Sequence, residues 1–170
     1  MISRISKGYW IWGQFDPEST REITSLYQDI NNKLYGPSFD VHLTLSGPFL
    51  YQQSLHEPIF NSLPSRFSKF KIQLDGIGYK DEFFQSLFLN VAESQDLINL
   101  KALIDKSFNL KGSEYFPHIS LFYGMVDSIS KNKIIKESKP PRQALLDKIS
   151  VVKVDEEIKS WEVLKSYHLP

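Results

Sequence analysis

The 170-residue chain contains no cysteine. That absence removes disulfide frameworks, thiolate nucleophiles, Cys-based zinc sites and iron–sulfur clusters together. Any chemistry must rest on imidazole, carboxylate, hydroxyl or amine groups. Net charge is also missing: 20 Lys and Arg balance 20 Asp and Glu, whereas proteins that track long polynucleotides carry a clustered basic excess. An extended nucleic-acid groove is therefore not expected. No apolar run approaches the roughly 20 residues of a membrane-spanning helix, and residues 1–10 hold no cleavable apolar core. A soluble, cytoplasmic protein with no membrane partner is the expectation. What the chain does have is 41% hydrophobic, 14% aromatic and only 24% charged residues, which describes a globular fold. At this length one compact domain, or two small lobes, buries about 70% of its unfolded surface without staples.

Residues 9–15 read as a strand, and Asp16-Pro17-Glu18 then supplies a cap, a first-turn proline and an acidic first turn. A helix follows, with Ile23, Leu26, Ile30 and Leu34 at helical spacing up to Gly36-Pro37. Residues 41–45 alternate at the strand period and stop at Gly47-Pro48. A weaker helix is expected near 53–62, and Phe70, Ile72 and Leu74 mark another strand. The second half opens with an aromatic-rich strand at 83–91. A helix comes next, with Leu97, Leu100, Leu103 or Ile104, and Phe108 on its apolar stripe. A strand at 116–122, a Lys-rich helical or loop stretch, a strand at 148–154 and a last strand at 161–167 complete the chain.

The two halves say the same thing. His118 lies 76 residues after His42, and the same shift carries Trp12 onto Phe88, Thr44 onto Ser120 and Leu45 onto Leu121. Inner and outer parity are kept throughout. The expected architecture is α+β: one bilobal domain spanning 1–170, with repeats at approximately 9–80 and 83–155. Two pseudo-symmetric lobes would line a central cleft with antiparallel sheet and keep their helices outside.

Side chains two apart on a strand share a face, roughly 6.6 Å along it, so His42 and Thr44 point together, away from Val41, Leu43 and Leu45. His118 and Ser120 repeat the arrangement, and a twofold relation brings the pairs opposite each other. Two imidazoles flanking one point suit a reaction in which one proton is removed and another supplied, because an ordinary imidazole titrates at about 6.5. Phosphodiester cleavage is such a reaction, and neighbouring hydroxyls can donate to the non-bridging oxygens. The scheme requires neither metal nor cofactor. A single H-x-T is ordinarily just a strand; two in matched contexts carry the argument. A zinc site would need a third protein ligand. His56 and His168 lack the matched context and read as surface residues.

The residues HLTL at 42–45 and PHISLFYG at 117–124 resemble the two-histidine (2H) phosphoesterase superfamily. YWIW at 9–12, GPSF at 36–39, FFQSLFL at 83–89 and SWEVL at 160–164 extend the likeness toward its cyclic phosphodiesterases of the plant and fungal type. The resemblance implies a metal-independent enzyme that opens 2′,3′-cyclic nucleotides or ADP-ribose 1″,2″-cyclic phosphate, with His42, Thr44, His118 and Ser120 as its catalytic positions. It also implies Trp12 and Tyr123 as substrate-binding aromatics. Strand parity supports Trp12, whose indole should border the cleft as an exposed stacking surface. Parity opposes Tyr123 unless the strand bulges near Gly124. Where the family often has Pro before its first His, this chain has Val41, and the cysteines of plant members are missing. Other branches take linear 2′,5′-linked or RNA-terminal phosphodiesters, and a non-catalytic nucleotide or RNA-end binding module is the reading from another class. The expected partner is a small cyclic phosphodiester, and the expected state a monomer.

Overall fold

A computed structural model describes residues 7–112 and 114–170; the beginning of the 1–10 segment read above for a leader lies outside them. The element order is β1 (Gly8–Phe15), α1 (Pro17–Leu34), β2 (Leu43–Phe49), α2 (Gln53–Arg66), β3 (Phe70–Tyr79), β4 (Leu87–Val91), α3 (Gln95–Ser107), β5 (His118–Phe122), α4 (Ser128–Glu137), β6 (Gln143–Val154) and β7 (Glu162–His168), with a 3₁₀ turn before β7. Three helices start on side-chain caps. Asp16 accepts the Ser19 N–H, Ser94 that of Leu97 and Asp127 that of Ser130, each satisfying an otherwise orphaned donor. Helix α1 ends at Tyr35, which takes the left-handed conformation and returns its N–H to the Asn31 carbonyl. The inward stripe Ile23, Leu26, Tyr27 and Ile30 is buried.

The fold is α+β with an antiparallel sheet, as the sequence indicates. These seven strands join one sheet in the order β1-β2-β5-β4-β3-β6-β7, and an additional β1–β6 pairing closes a ring. The third strand of each half crosses over: β3 pairs with β4, and β6 pairs with β1. Strand β6 spans both groups, with 143–146 against β3 and 146–154 against β1, while β7 follows β3 along its other edge. Strands β2 and β5 touch at one pair, Leu43↔Ile119, and beyond it they diverge. The main core fills the space between sheet and helices; a smaller cluster, Trp12, Val152 and Val154, packs with Trp10 and Trp161. Among the described residues no helix is long and apolar enough to cross a membrane.

Some boundaries differ from expectation. Strand β4 begins at Leu87 and not at residue 83, because Lys80 and Gln85 close a turn and the Phe83 carbonyl accepts from Gly124. Strand β5 begins at His118, since Pro117 has no ladder donor. Helix α2 runs on to Arg66, and its inward face is His56, Phe60 and Leu63. His56 is therefore buried, against the expectation of a surface residue. Its Nδ1 accepts the Gln52 N–H at 2.9 Å, and its ring packs against Phe49, Tyr51 and Phe108. The helical spacing 56, 60, 63 was the signal for this. His168 is exposed on β7.

Candidate active site

Both motifs are built alike. Thr44 pairs with Trp12 and Leu43 with Gly13; 76 residues on, Ser120 pairs with Phe88 and Ile119 with Leu89. One residue beyond each hydroxyl a β-bulge interrupts the ladder. Ile11 pairs with Ser46, leaving Leu45 over, and Leu87 pairs with Phe122, leaving Leu121 over. A bulge reverses parity beyond itself. Ser46 and Phe122 accordingly turn inward, and Phe122 joins the core. Tyr123 then faces the cleft, so the unbroken parity that opposed it does not apply to this strand.

The Leu43↔Ile119 pair joins the motifs. It is the point where β2 and β5 meet, and it lays His42–Thr44 beside His118–Ser120 in antiparallel sense, so that both motifs open onto one cleft. All four side chains line one cleft of 580 Å³. The imidazoles are held in the same way: each Nδ1 lies against the carbonyl two residues earlier, Asp40 at 2.7 Å for His42 and Phe116 at 2.8 Å for His118. A neutral ring donating from Nδ1 leaves Nε2 as the free acceptor. Each ring also meets an aromatic, since His42 stacks on Trp12 at 3.5 Å and 5°, and His118 on Phe116 at 4.9 Å and 26°.

Burial sets the protonation. Desolvation lowers the pKa of His42 from its ordinary 6.5 to about 4; the Asp40 carbonyl opposes this and the nearby His118 adds to it. His118 is shifted in the same direction, first by burial, against the Phe116 carbonyl and with the charge of Lys80. Both rings are therefore neutral proton acceptors in the free protein.

Trp12 is placed differently from expectation. It lines the cleft but is only 3% exposed, and its face is occupied by His42. It is a backing for the imidazole and not an open stacking surface. Other aromatics complete the cleft wall, Tyr123 buried like Trp12 and Trp161 half-buried. Trp161, before β7, meets Trp12, Tyr123 and Phe84, and Tyr123 stacks on Phe39 at 4.1 Å. Burial pushes the Tyr123 hydroxyl pKa up. Phe84 rides on the β3–β4 turn, which the buried Lys131 of α4 secures by donating to the Lys80 carbonyl at 2.8 Å.

A second group borders the cleft. The Tyr115 hydroxyl donates to the Thr44 carbonyl at 2.7 Å, and Lys101 Nζ donates to the Leu45 carbonyl at 3.0 Å and to Asp105 at 3.0 Å. Asp105 also accepts from the Ser46 hydroxyl. Sequence reasoning passed over Lys101, Tyr115, Phe84 and Trp161. Lys101 and Tyr115 carry no motif; Phe84 lies within FFQSLFL and Trp161 within SWEVL, both stretches of the family likeness. Among the described residues no group of three or more His, Asp or Glu is placed to hold a metal ion.

The family model described as the 2′-5′ RNA ligase superfamily matches residues 15–157. Several solved structures share the fold. Escherichia coli LigT complexed with 3′-AMP aligns over 96% of this chain and 98% of its own at 15% identity and a TM-score of 0.63. TT0787 of Thermus thermophilus aligns over 95% and 97% at 17% identity and 0.60. Kluyveromyces marxianus Usb1 aligns over 97% and 99% at 12% identity and 0.50. No curated protein matches the chain significantly.

Proposed function

The chain belongs to the 2′-5′ RNA ligase superfamily, the two-histidine phosphoesterases, and from that membership we propose that it is a metal-independent cyclic phosphodiesterase that opens 2′,3′-cyclic nucleotides or ADP-ribose 1″,2″-cyclic phosphate. The observation that carries the reading is the pair of Nδ1-anchored imidazoles, His42 and His118, beside Thr44 and Ser120 in one cleft.

One imidazole Nε2 takes a proton from water as its oxygen bonds to phosphorus. The phosphorus bond to one ribose oxygen breaks, and the other imidazole gives that oxygen its proton. Both rings rest neutral, so the proton donor must gain its charge. The anionic phosphodiester provides for this, because a negative charge beside an imidazole favours the imidazolium. Thr44 and Ser120 donate to the non-bridging oxygens, where charge is held during attack. Desolvation strengthens these contacts. Departure of the 3′ oxygen leaves a 2′-phosphate; the equivalent step in the ADP-ribose compound leaves a 1″-phosphate. Tyr123, Phe84 and Trp161 border the cleft for the nucleoside part, whereas Trp12 acts mainly by seating His42.

The test is product analysis after incubation in EDTA with 2′,3′-cyclic AMP, ADP-ribose 1″,2″-cyclic phosphate and a 2′,5′-linked dinucleotide. A phosphate monoester from either cyclic substrate is expected. Cleavage of the dinucleotide alone would move the reading to linear substrates, and binding without turnover to a recognition module.

A further inference from the structure

The two bulges create a structural demand that the catalytic scheme does not address. Leu45 and Leu121 are the surplus residues of their ladders, and a surplus residue leaves its own backbone groups without a strand partner. Each carbonyl is nevertheless capped, and each cap comes from the other half of the chain. Lys101 of α3 donates to the Leu45 carbonyl at 3.0 Å, and Asn31 of α1 donates through Nδ2 to the Leu121 carbonyl at 2.8 Å. Tyr115, just before β5, adds a hydrogen bond to the Thr44 carbonyl at 2.7 Å.

The caps are built and not incidental. Lys101 and Asp105 have side chains only 13% exposed, and the ion pair between them is tied to β2 through Ser46. Lys101 also lies over the Tyr115 ring. Asn31 spends both amide hydrogens on carbonyls, those of Tyr27 and Leu121, which fixes the orientation of the amide. Its Oδ1 is buried without a partner. A Cβ at Gly36 would collide with that oxygen and with the Phe122 ring, so the glycine makes room for the cap. Each bulge follows a hydroxyl directly and sits three residues beyond an imidazole, on the same run of chain.

We propose that Lys101 with Tyr115, and Asn31, are reciprocal positioning residues: each half's helix side locks the bulge beside the other half's His-x-Thr/Ser motif and so fixes the spacing of the two proton-transfer groups. This rests on the phosphodiesterase reading above. A misplacement of the order of 1 Å at reacting groups costs up to about 100-fold in rate. The caps therefore act on turnover more than on substrate affinity.

Three variants test the idea: Tyr115→Phe, Asn31→Leu, and Lys101→Met combined with Asp105→Asn so that no buried charge is orphaned. Each should lower kcat by about 10-fold or more with KM within about twofold, and Lys101→Arg, which keeps a donor, should recover most of the rate. Tyr115→Phe removes a single hydroxyl and remains decisive if the others do not fold. Unchanged kcat, or a raised KM at full kcat, overturns the proposal, the latter making these residues substrate contacts. If the wild-type protein turns over none of the substrates, the phosphodiesterase reading fails by itself. The imidazole NMR resonances of His42 and His118 then still report on positioning: they should shift in Tyr115→Phe, and their constancy would refute it.

Discussion

His42 offers a test that needs no substrate. Its ring is buried, and desolvation holds its pKa at about 4 in the folded protein, against about 6.5 in an unfolded chain. Between these values the unfolded state binds a proton that the folded state refuses. The sign follows: the adverse contribution of a depressed histidine fades out above pH 6.5 and grows progressively as pH falls from 6.5 toward 4. At pH 5 the unfolded ring gains a factor of about 30 and the folded ring almost nothing, a penalty of about 2 kcal/mol that is nearly absent at pH 7. Replacing the ring with the uncharged His42→Gln abolishes the term. Urea unfolding of both proteins at pH 7 and pH 5 should therefore show the wild type losing on the order of 2 kcal/mol more than the variant. The contribution of His56 cancels in the double difference, while that of His118 cancels apart from its charge coupling to His42. Identical pH dependence in the two proteins would refute the burial of a neutral imidazole at this site.

Other expectations follow from the placement of the aromatics and hydroxyls. Trp12→Ala removes the surface beneath His42 and should cost about 3–5 kcal/mol of stability, lowering Tm in calorimetry together with kcat; a rise in KM alone at full stability would restore Trp12 as a stacking surface. Trp161→Ala, in a half-buried residue at the cleft edge, should raise KM for a cyclic nucleotide by about 10-fold with Tm nearly unchanged. Thr44→Ala and Ser120→Ala each remove one donor to the phosphate and should lower kcat by about 10-fold, less than loss of an imidazole.

Much of this molecule was legible because it was written twice. The strand period placed His42 with Thr44 and His118 with Ser120, and the 76-residue offset reappears in the registers Trp12↔Thr44 and Phe88↔Ser120. Periodicity shows which face a residue takes only while the ladder is regular. The surplus residues Leu45 and Leu121 were invisible to it, because apolar–polar alternation contains no signal for one extra residue. That is why Tyr123 looked misdirected and Ser46 went unremarked. The exchange of β3 and β6 between halves was hidden for a related reason: pairing partners are long-range choices, and the strands read identically in either lobe. His56 was legible and overlooked, since its spacing with Phe60 and Leu63 marks an inward helix face. For Trp12 the strand period sets the face but not the neighbour. Parity brings an indole and an imidazole to the same surface, and their stacking at 3.5 Å follows from packing.

The most direct test of the account is turnover of a cyclic phosphodiester, in EDTA, by wild type, His42→Ala and His118→Ala, each checked for folding by circular dichroism. Wild-type turnover should survive the chelator, and each single substitution should lower kcat by about 100-fold or more, the contribution of one positioned acid or base. A single-histidine variant with near wild-type kcat, or a wild-type activity lost in EDTA and restored by added zinc, would contradict it.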